Sequence, residues 1–257
     1  MPDMVVTGAA AGPPAARGDG MANSPRQIPI PLGHQPAHDR ESFIVGDANR
    51  AALELIEKWP AWPAPVVILT GPPGSGKTHL AHIWTNLAGG KLMEARQFAQ
   101  SNASFAVTGP TAIDGIDMDS VPEKALFHLM NIAAEASANL LLTSRTPAAD
   151  WQVGLPDLNS RLRLAAPAEL TAPDDALLRQ VMVKLFTDRQ LFIDKSVVDY
   201  LLLRMERSLA SASRIVSALD QAALSAGRRI TRPLAADVLE ADGGLETPRD
   251  GEHPAGH

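Results

Sequence analysis

The sequence contains no cysteine and no long apolar run, and these two absences exclude several classes of protein. Without cysteine, the chain has no disulfides, no zinc–thiolate site and no cysteine nucleophile. No segment approaches the roughly 18 consecutive apolar residues that a membrane-spanning helix needs, and the N-terminus lacks the basic start and apolar core of a secretory signal. We therefore expect a cytoplasmic protein with no membrane partner.

Basic residues are also scarce, which bears on nucleic acid binding. Lysine and arginine total 23 against 29 acidic residues, so the formal net charge is −6. A protein that binds duplex DNA usually presents a basic face, and the one basic cluster that stands out here is Arg228-Arg229. We therefore expect no direct, specific DNA binding.

The pattern of apolar segments divides the chain into five parts. Residues 1–24 and 241–257 are rich in small residues, glycine and proline, and they predict disordered tails. Residues 34–168 alternate short apolar strands with helical patterns, which predicts an α/β core with a parallel sheet and helices on both faces. Residues 169–240 contain only helical patterns and predict a small all-helical lid. Residues 25–33 form a short peptide before the core.

The same patterns predict individual elements. Those of the core are Val66–Thr70, His79–Leu87, Thr111–Ile113, a helix that ends near Ala138, and Leu140–Thr143. Those of the lid are Asp174–Asp188, Lys195–Arg204, Ser211–Ala226 and Pro233–Leu239. Ser120 followed by Glu123 predicts a capping box at the start of the helix that ends near Ala138.

Residues 71–78, Gly-Pro-Pro-Gly-Ser-Gly-Lys-Thr, match the phosphate-binding pattern GxxxxGK[ST] between a predicted strand and a predicted helix. Backbone N–H groups of such a loop turn towards phosphates, and the next helix points its positive end at them. The residues predicted to contact ADP or ATP are Gly71, Pro72, Gly74, Ser75, Gly76, Lys77, Thr78 and His79. Packing on the helix surface is the alternative role of His79. A Gly/Pro turn that matches by chance is the weaker alternative for the loop.

An acidic turn after the next predicted strand supplies a second part of this site. Asp114 lies where a Walker B aspartate holds Mg²⁺ through water, and the Thr78 hydroxyl is the other predicted Mg²⁺ ligand. Gly115 occupies the position that normally carries the acid that orients the attacking water. We therefore expect slow hydrolysis of the nucleotide that this chain binds. A plain strand-to-helix turn remains the alternative.

Several segments resemble the AAA+ protein DnaA, the bacterial replication initiator. Residues 43–49 (FIVGDAN), residues 141–147 (LLTSRTP) and residues 154–162 (GLPDLNSRL) are similar to the segment before its first helix, to its sensor segment and to its arginine-finger segment. The resemblance covers about residues 27–240. The initiator continues into a DNA-binding domain, for which residues 241–257 are too few. The chain therefore resembles the Hda (HdaA) family of DnaA-related regulatory inactivators.

The resemblance implies a function and partners. Hda proteins dock on the sliding clamp, the β subunit of DNA polymerase III, and stimulate hydrolysis of ATP held by DnaA. The sequence QIPIPL lies where the family has a clamp-binding peptide, which implies that Gln27, Ile30, Pro31 and Leu32 contact the clamp. A stiff proline-rich linker is the alternative interpretation of this peptide. AAA+ sites usually lie at subunit interfaces, so self-association is compatible with the resemblance.

Three further residues take their implied roles from the family. Arg161 falls at the arginine finger, which acts in trans on a neighbour's ATP, with Arg163 as the alternative. Ser144 falls at the phosphate sensor, but the aspartate that follows this serine in the initiator is missing. Arg214 is favoured over Arg207 as the arginine sensor of the lid.

Two other functions stay open at this level. An autonomous ATPase that loads or remodels a helicase is the main alternative, although Gly115 argues against a motor. A scaffold role for a DnaA-like paralogue is the third. Trp59 and Trp62 are predicted to pack in the core, with a place beside the adenine as their alternative.

Overall fold

In the computed structural model, which describes residues 39–101 and 107–243, five parallel strands form one sheet. The strands are β1 (Val66–Thr70), β2 (Lys91–Glu94), β3 (Thr111–Ile116), β4 (Leu140–Ser144) and β5 (Ala166–Glu169). They lie in the order β2-β3-β4-β1-β5, so β4 and β1 are neighbours near its centre. Ligands of such sheets bind beyond the carboxyl ends of the strands, and Thr70 and Ser144 are paired there.

The helices fall into two groups. Those that accompany the sheet are α1 (Arg50–Glu57), α2 (Lys77–Ala88), α3 (Ala95–Gln100), α4 (Glu123–Glu135) and α5 (Pro156–Arg163). Those of the lid are α6 (Asp175–Asp188), α7 (Lys195–Leu202), α8 (Leu209–Ala226) and α9 (Arg232–Ala241). Among the described helices, none combines the length and the apolar character needed to cross a membrane. The predicted clamp peptide, Gln27–Leu32, lies outside the described residues.

Alternation along the strands buries both faces of the sheet. Val67 and Leu69 of β1 pack with the apolar residues of α1 and α2, whereas Ile68 packs with those of α3, α4 and α5. Successive side chains of a strand point to opposite faces, and a parallel sheet covered on both sides is built from nearly continuous apolar strands. The predicted α/β class with helices on both faces is therefore confirmed.

The lid has an apolar core of its own. Residues from all four of its helices contribute, among them Met182, Leu201, Ile215 and Leu239. The prediction of an all-helical lid after the sheet is confirmed. The third lid helix begins at Leu209, two residues before the predicted start, and this difference places its first turn next to the phosphate loop, as described below.

Two edge strands were not predicted, and both have unfavourable strand sequences. The strand β5 contains Pro167, which cannot donate a ladder hydrogen bond. Proline is tolerated here because β5 is an edge strand that, among the described strands, pairs with β1 alone. At the other edge, β2 is four residues long and half-exposed, with a lysine and a glutamate at its ends.

The predicted capping box at Ser120 and Glu123 is wrong. The helix α4 does begin at Glu123, but no side chain caps it. The Ser120 hydroxyl donates to the carbonyl of Asp117 at 3.1 Å. The Glu123 carboxylate instead accepts hydrogen bonds from the N–H groups of Gly154 and Leu155, at 2.8 and 2.9 Å. A local cap is thus replaced by a contact with the segment that leads into α5.

Candidate nucleotide site and arginine finger

The phosphate loop connects the carboxyl end of β1 to the first turn of α2, and the lid packs directly against it. Gly74 has a φ of +68°, and a Cβ built there would lie 2.8 Å from the Cβ of Ser208. The N–H of Leu209 donates to the Gly74 carbonyl at 3.0 Å. Glycine is required at this position both by the backbone conformation and by the approach of α8. The phosphate loop and the first turn of α8 are therefore in direct contact.

Lys77 lies over the loop, as the phosphate-binding motif requires. Its Nζ donates to the carbonyls of Gly71 at 2.7 Å and of Pro72 at 2.8 Å. Burial lowers the pKa of Lys77, the positive charge of Arg145 lowers it further, and the negative charge of Asp114 opposes both. Arg145 follows β4 directly, so the carboxyl edge of the sheet carries a second cation that the loop motif does not reveal.

Asp114 is bonded by two threonine hydroxyls. Thr78 Oγ1 donates to its Oδ2 at 2.8 Å, and the Thr143 hydroxyl donates to its Oδ1. The N–H of Gly115 donates to Thr143 Oγ1 at 2.8 Å, where the β3–β4 pairing is irregular. The structure thus brings the two predicted Mg²⁺ ligands into contact. Thr143 was missed, although a threonine within an apolar strand next to β3 was a usable signal.

Gly115 has a backbone conformation that suits glycine. Its φ is +81°, and a Cβ built there meets no atom within 4 Å. The position is therefore open in space but restricted in conformation, since side chains other than asparagine and aspartate rarely adopt positive φ. An acid that orients a water molecule is absent at this position of the site.

One serine lies within the phosphate loop and another lies at the end of the neighbouring strand β4. Ser144 ends β4 beside Thr70, and its hydroxyl accepts the N–H of Thr146 at 3.3 Å. The Ser75 hydroxyl is buried and has no hydrogen-bond partner among the described residues. A buried hydroxyl without a partner is rare in native proteins unless a ligand or water completes it. The loop therefore fits a polar ligand.

His79 contacts the chain before α1. Its Nε2 lies 2.9 Å from the Asp39 carbonyl and 3.2 Å from Ser42 Oγ. Its ring meets the Phe43 ring edge-on, with centroids 5.1 Å apart. Burial is the main cause that lowers the pKa of His79. These contacts support the packing role; a nucleotide contact of His79 stays a prediction.

The two lid arginines proposed as sensors are paired within the lid. Arg214 donates to both carboxylate oxygens of Asp242, at 2.6 and 2.9 Å, and these bonds lower the pKa of Asp242. Arg207 pairs with Asp175 at 3.2 Å. Arg214 Nη2 also donates to Ser211 Oγ at 3.3 Å, and Ala210, one turn earlier, lies against Gly74 of the loop. The sensor role of Arg214 stays a prediction.

Arg161 lies on α5, near the amino ends of the strands. Its guanidinium carbon is 5.6 Å from the centroid of the Phe127 ring on α4. It lines a pocket of about 410 Å³ with Pro65 and Val66, where β1 begins. The phosphate loop follows the other end of this strand, roughly 16 Å away. Arg161 is thus remote from the loop of its own chain.

The two tryptophans near α1 are both used in packing. Trp62 stacks on Trp84 with centroids 4.8 Å apart and an interplanar angle of 19°. Trp59 Nε1 donates to Asn139 Oδ1 at 3.2 Å, just before β4 begins. The predicted packing role therefore accounts for both tryptophans. Trp59 lies near the amino end of β4, whereas the phosphate loop lies beyond the carboxyl ends of the strands.

Comparisons with known proteins agree with this architecture. Residues 175–239 match the family model described as "Hda, lid domain". An uncharacterized protein of Haemophilus influenzae is 27% identical over 231 residues, which cover 83% of this chain and 98% of that protein. Domain III of the Thermotoga maritima replication initiation protein DnaA superposes with a TM-score of 0.69 at 18% identity, covering 80% of this chain and 97% of that domain.

A second solved structure is the replication initiator DnaA bound to AMPPCP and single-stranded DNA. It superposes with a TM-score of 0.61 at 19% identity, covering 75% of this chain and 69% of that one. At such identities the two structures establish the fold, and the family model adds the type of lid. The chain therefore has the AAA+ fold of DnaA domain III, and its residues 175–239 are similar to the Hda lid.

Proposed function

We propose that this protein regulates replication initiation by binding nucleotide, docking on the DNA-loaded sliding clamp and stimulating hydrolysis of ATP bound to DnaA. The observation that supports it best is the position of Arg161. This cation is half-buried near the amino end of β1, whereas the phosphate loop of its own chain follows the carboxyl end of that strand. It can therefore act only on a nucleotide held by another molecule. The match of the lid to the Hda model supports the same choice.

The residues of the loop fit the phosphates of ADP or ATP together with Mg²⁺. Lys77 would neutralise phosphate charge, and Ser75 would gain the partner that its buried hydroxyl lacks. Thr78 and Asp114 would hold the metal ion. No group of three His, Asp or Glu that could bind a metal occurs within residues 39–101 and 107–243, so phosphate and water would complete the oxygen ligands that Mg²⁺ prefers.

The nucleotide held by this chain would serve mainly to stabilise it and to fix its shape. Bound nucleotide would neutralise the positive charge of Lys77 in the loop, which already contacts the start of α8 through the Gly74 carbonyl. Gly115 supplies no acid to orient water, and both oxygens of Asp114 are bonded by hydroxyls. Slow turnover follows, which argues against an autonomous motor.

Arg161 would supply positive charge to the γ-phosphate of DnaA-bound ATP as negative charge develops there. Arginine fingers of this kind raise hydrolysis rates by about 10³ or more. The Phe127 ring holds the guanidinium by a cation–π contact, which orients a cation without neutralising it. The charge therefore stays available to a partner.

Clamp docking belongs to the proposal through the family resemblance. In this scheme residues 25–33 are the clamp peptide, residues 34–168 the nucleotide-binding core and residues 169–240 the lid. Gln27 would bond the rim of a pocket on the clamp, while Ile30 and Leu32 fill an apolar groove. Pro31 would reduce the entropy that an extended peptide loses on docking.

Single-turnover hydrolysis of ATP bound to DnaA tests the proposal. With clamp loaded on DNA, the wild-type chain should accelerate hydrolysis at least about 10³-fold, and Arg161→Ala should abolish this acceleration while nucleotide binding is retained. Arg163→Ala, on the same helix, is the matched control and should stay active. Acceleration that survives Arg161→Ala would reject the finger, and no acceleration by folded, nucleotide-bound wild type would reject the function.

A further inference from the structure

The helix α4 holds the arginine-finger helix at two points that lie one turn apart. Glu123, its first residue, accepts the N–H groups of Gly154 and Leu155 with one carboxylate oxygen each, at 2.8 and 2.9 Å. Phe127, four residues later, lies 5.6 Å from the Arg161 guanidinium. Residues four apart share one face of a helix. One face of α4 therefore contacts both the start of α5 and the cation that α5 carries.

The Glu123 contact sets where α5 begins. Leu155 is the N-cap of α5, and no side chain caps this helix locally. A carboxylate next to the N-terminus of a helix makes charge-assisted hydrogen bonds to its N–H groups and is favoured by the helix dipole. Glu123 thus bonds the N–H groups of the N-cap residue and of the residue before it, and so fastens the segment that leads into α5.

Apolar burial keeps α5 folded independently of this contact. Leu158 and Leu162 pack into the core beneath the sheet with 0% and 5% exposure. Such contacts hold the helix against the sheet but are not directional. The two hydrogen bonds from Glu123 are directional, so they fix the rotation and translation of an eight-residue helix whose sixth residue is Arg161.

We propose that Glu123 is a positioning residue that sets the direction of Arg161, an inference that rests on the proposed role of Arg161 as a finger. Both carboxylate oxygens of Glu123 are bonded to the segment that leads into α5, so Glu123 acts through this helix, together with the Phe127 ring beside the guanidinium. Misplacement of a reacting group by about 1 Å can cost on the order of 100-fold in rate, so loss of this anchor should be visible in catalysis.

A double-mutant cycle on the intact chain tests this role. Glu123→Gln should lower the maximal single-turnover rate of DnaA-bound ATP hydrolysis about tenfold. The concentration of chain that gives half the maximal rate should change less than about twofold, because binding to DnaA and clamp is untouched. In the Arg161→Lys background, whose rate is lower but measurable, Glu123→Gln should have almost no further effect.

The matched control is Glu135→Gln, which removes the same charge from an exposed residue at the other end of α4 and should leave the rate unchanged. An equal loss from Glu123→Gln in both Arg161 backgrounds would overturn the inference. So would a raised half-saturating concentration with an intact maximal rate, since that result would place Glu123 in binding.

Amide hydrogen exchange separates this inference from the proposed function. In Glu123→Gln, the Gly154 and Leu155 amides should exchange about tenfold faster, as expected for loss of a charge-assisted hydrogen bond, with nucleotide affinity unchanged. Unchanged exchange would overturn the inference whatever the activity. If the two amides exchange faster in Glu123→Gln but the wild-type chain does not accelerate hydrolysis, the proposed function is rejected. The contact between Glu123 and the segment before α5 is then still supported.

Discussion

The cation at the carboxyl ends of the strands and the cation at their amino ends are held in different ways. At the carboxyl edge, Lys77 donates two hydrogen bonds to loop carbonyls, and Asp114 accepts two from threonines. Near the amino ends of the strands, the Arg161 guanidinium contacts an aromatic ring, and no hydrogen bond or ion pair engages this guanidinium within the described part of the chain. The first arrangement is organised by the protein itself, and the second leaves charge for a partner.

This difference distinguishes a site that retains a nucleotide from a residue that acts on a nucleotide held by another molecule. A site that must retain nucleotide benefits from a fixed set of polar groups, because ordering them costs nothing at the time of binding. A finger must present an uncompensated charge that another molecule completes. Substitutions at the carboxyl ends of the strands should therefore weaken nucleotide binding to different degrees while the Arg161 side chain stays intact.

The largest effect should come from Lys77→Ala. Loss of the ammonium removes the cation that the loop presents to phosphate, and charge-assisted contacts of this kind are worth on the order of 100-fold in affinity when several bonds are lost. Calorimetric titration with ADP would measure the loss. Lys91→Ala, at the exposed start of β2, is the control. Equal affinities for the two variants would contradict the assignment of the loop.

Thr143→Val should have the next largest effect. The replacement keeps the shape of the side chain but removes the hydroxyl that bonds Asp114 and Gly115. Nucleotide affinity in the presence of Mg²⁺ should fall about tenfold, and the free energy of unfolding should fall by about 1 kcal/mol because the half-buried Asp114 carboxylate and the Gly115 N–H lose a partner. Urea unfolding and titration with and without Mg²⁺ would measure both, and Thr143→Ser should restore them.

The phosphate loop could be predicted from the sequence because its residues are adjacent in the chain. A glycine-rich loop followed by Lys77 and Thr78 has one main geometry, which the strand before it and the helix after it complete. Asp114 was predictable for a similar reason, since it follows the apolar residues at the start of β3, although the strand itself continues to Ile116. In both cases the local pattern already specifies where the side chains lie.

Contacts between distant segments were not predictable from local patterns. Glu123 looked like half of a capping box, yet it bonds backbone N–H groups 31 and 32 residues away. Arg214 has a carboxylate partner 28 residues further along the chain. A side chain that can satisfy a local motif can equally bond a distant group, and tertiary packing decides between them.

A smaller effect is expected from Gly115→Asp. An acid at this position would supply the group that orients water, and aspartate tolerates the observed φ of +81° better than glutamate does. Steady-state ATP turnover by the isolated chain should rise by a few fold, limited by strain in the backbone. Gly115→Asn is the control with the same shape and no charge. An equal rise in both variants would show that the missing acid does not explain slow turnover.

The smallest effect concerns His79 and pH. Burial lowers its pKa in the folded state, so between that lowered value and about 6.5 the unfolded chain binds more protons. Stability should therefore fall as the pH drops through about 6.5 and level off once the folded-state histidine is also protonated. The change should stay below about 1 kcal/mol because the ring is only partly buried.

Urea unfolding of the wild-type chain and of His79→Gln at pH 7.5 and 5.5 would measure this contribution. A glutamine side chain has no titratable group, so the part of the pH dependence due to His79 should disappear, whereas His128→Gln, at an exposed position of α4, should retain it. Because His79 fastens residues 39–43 to α2 near the loop, ADP affinity should change little. A large loss of ADP affinity in His79→Gln would instead show that His79 contacts the nucleotide and does not serve packing alone.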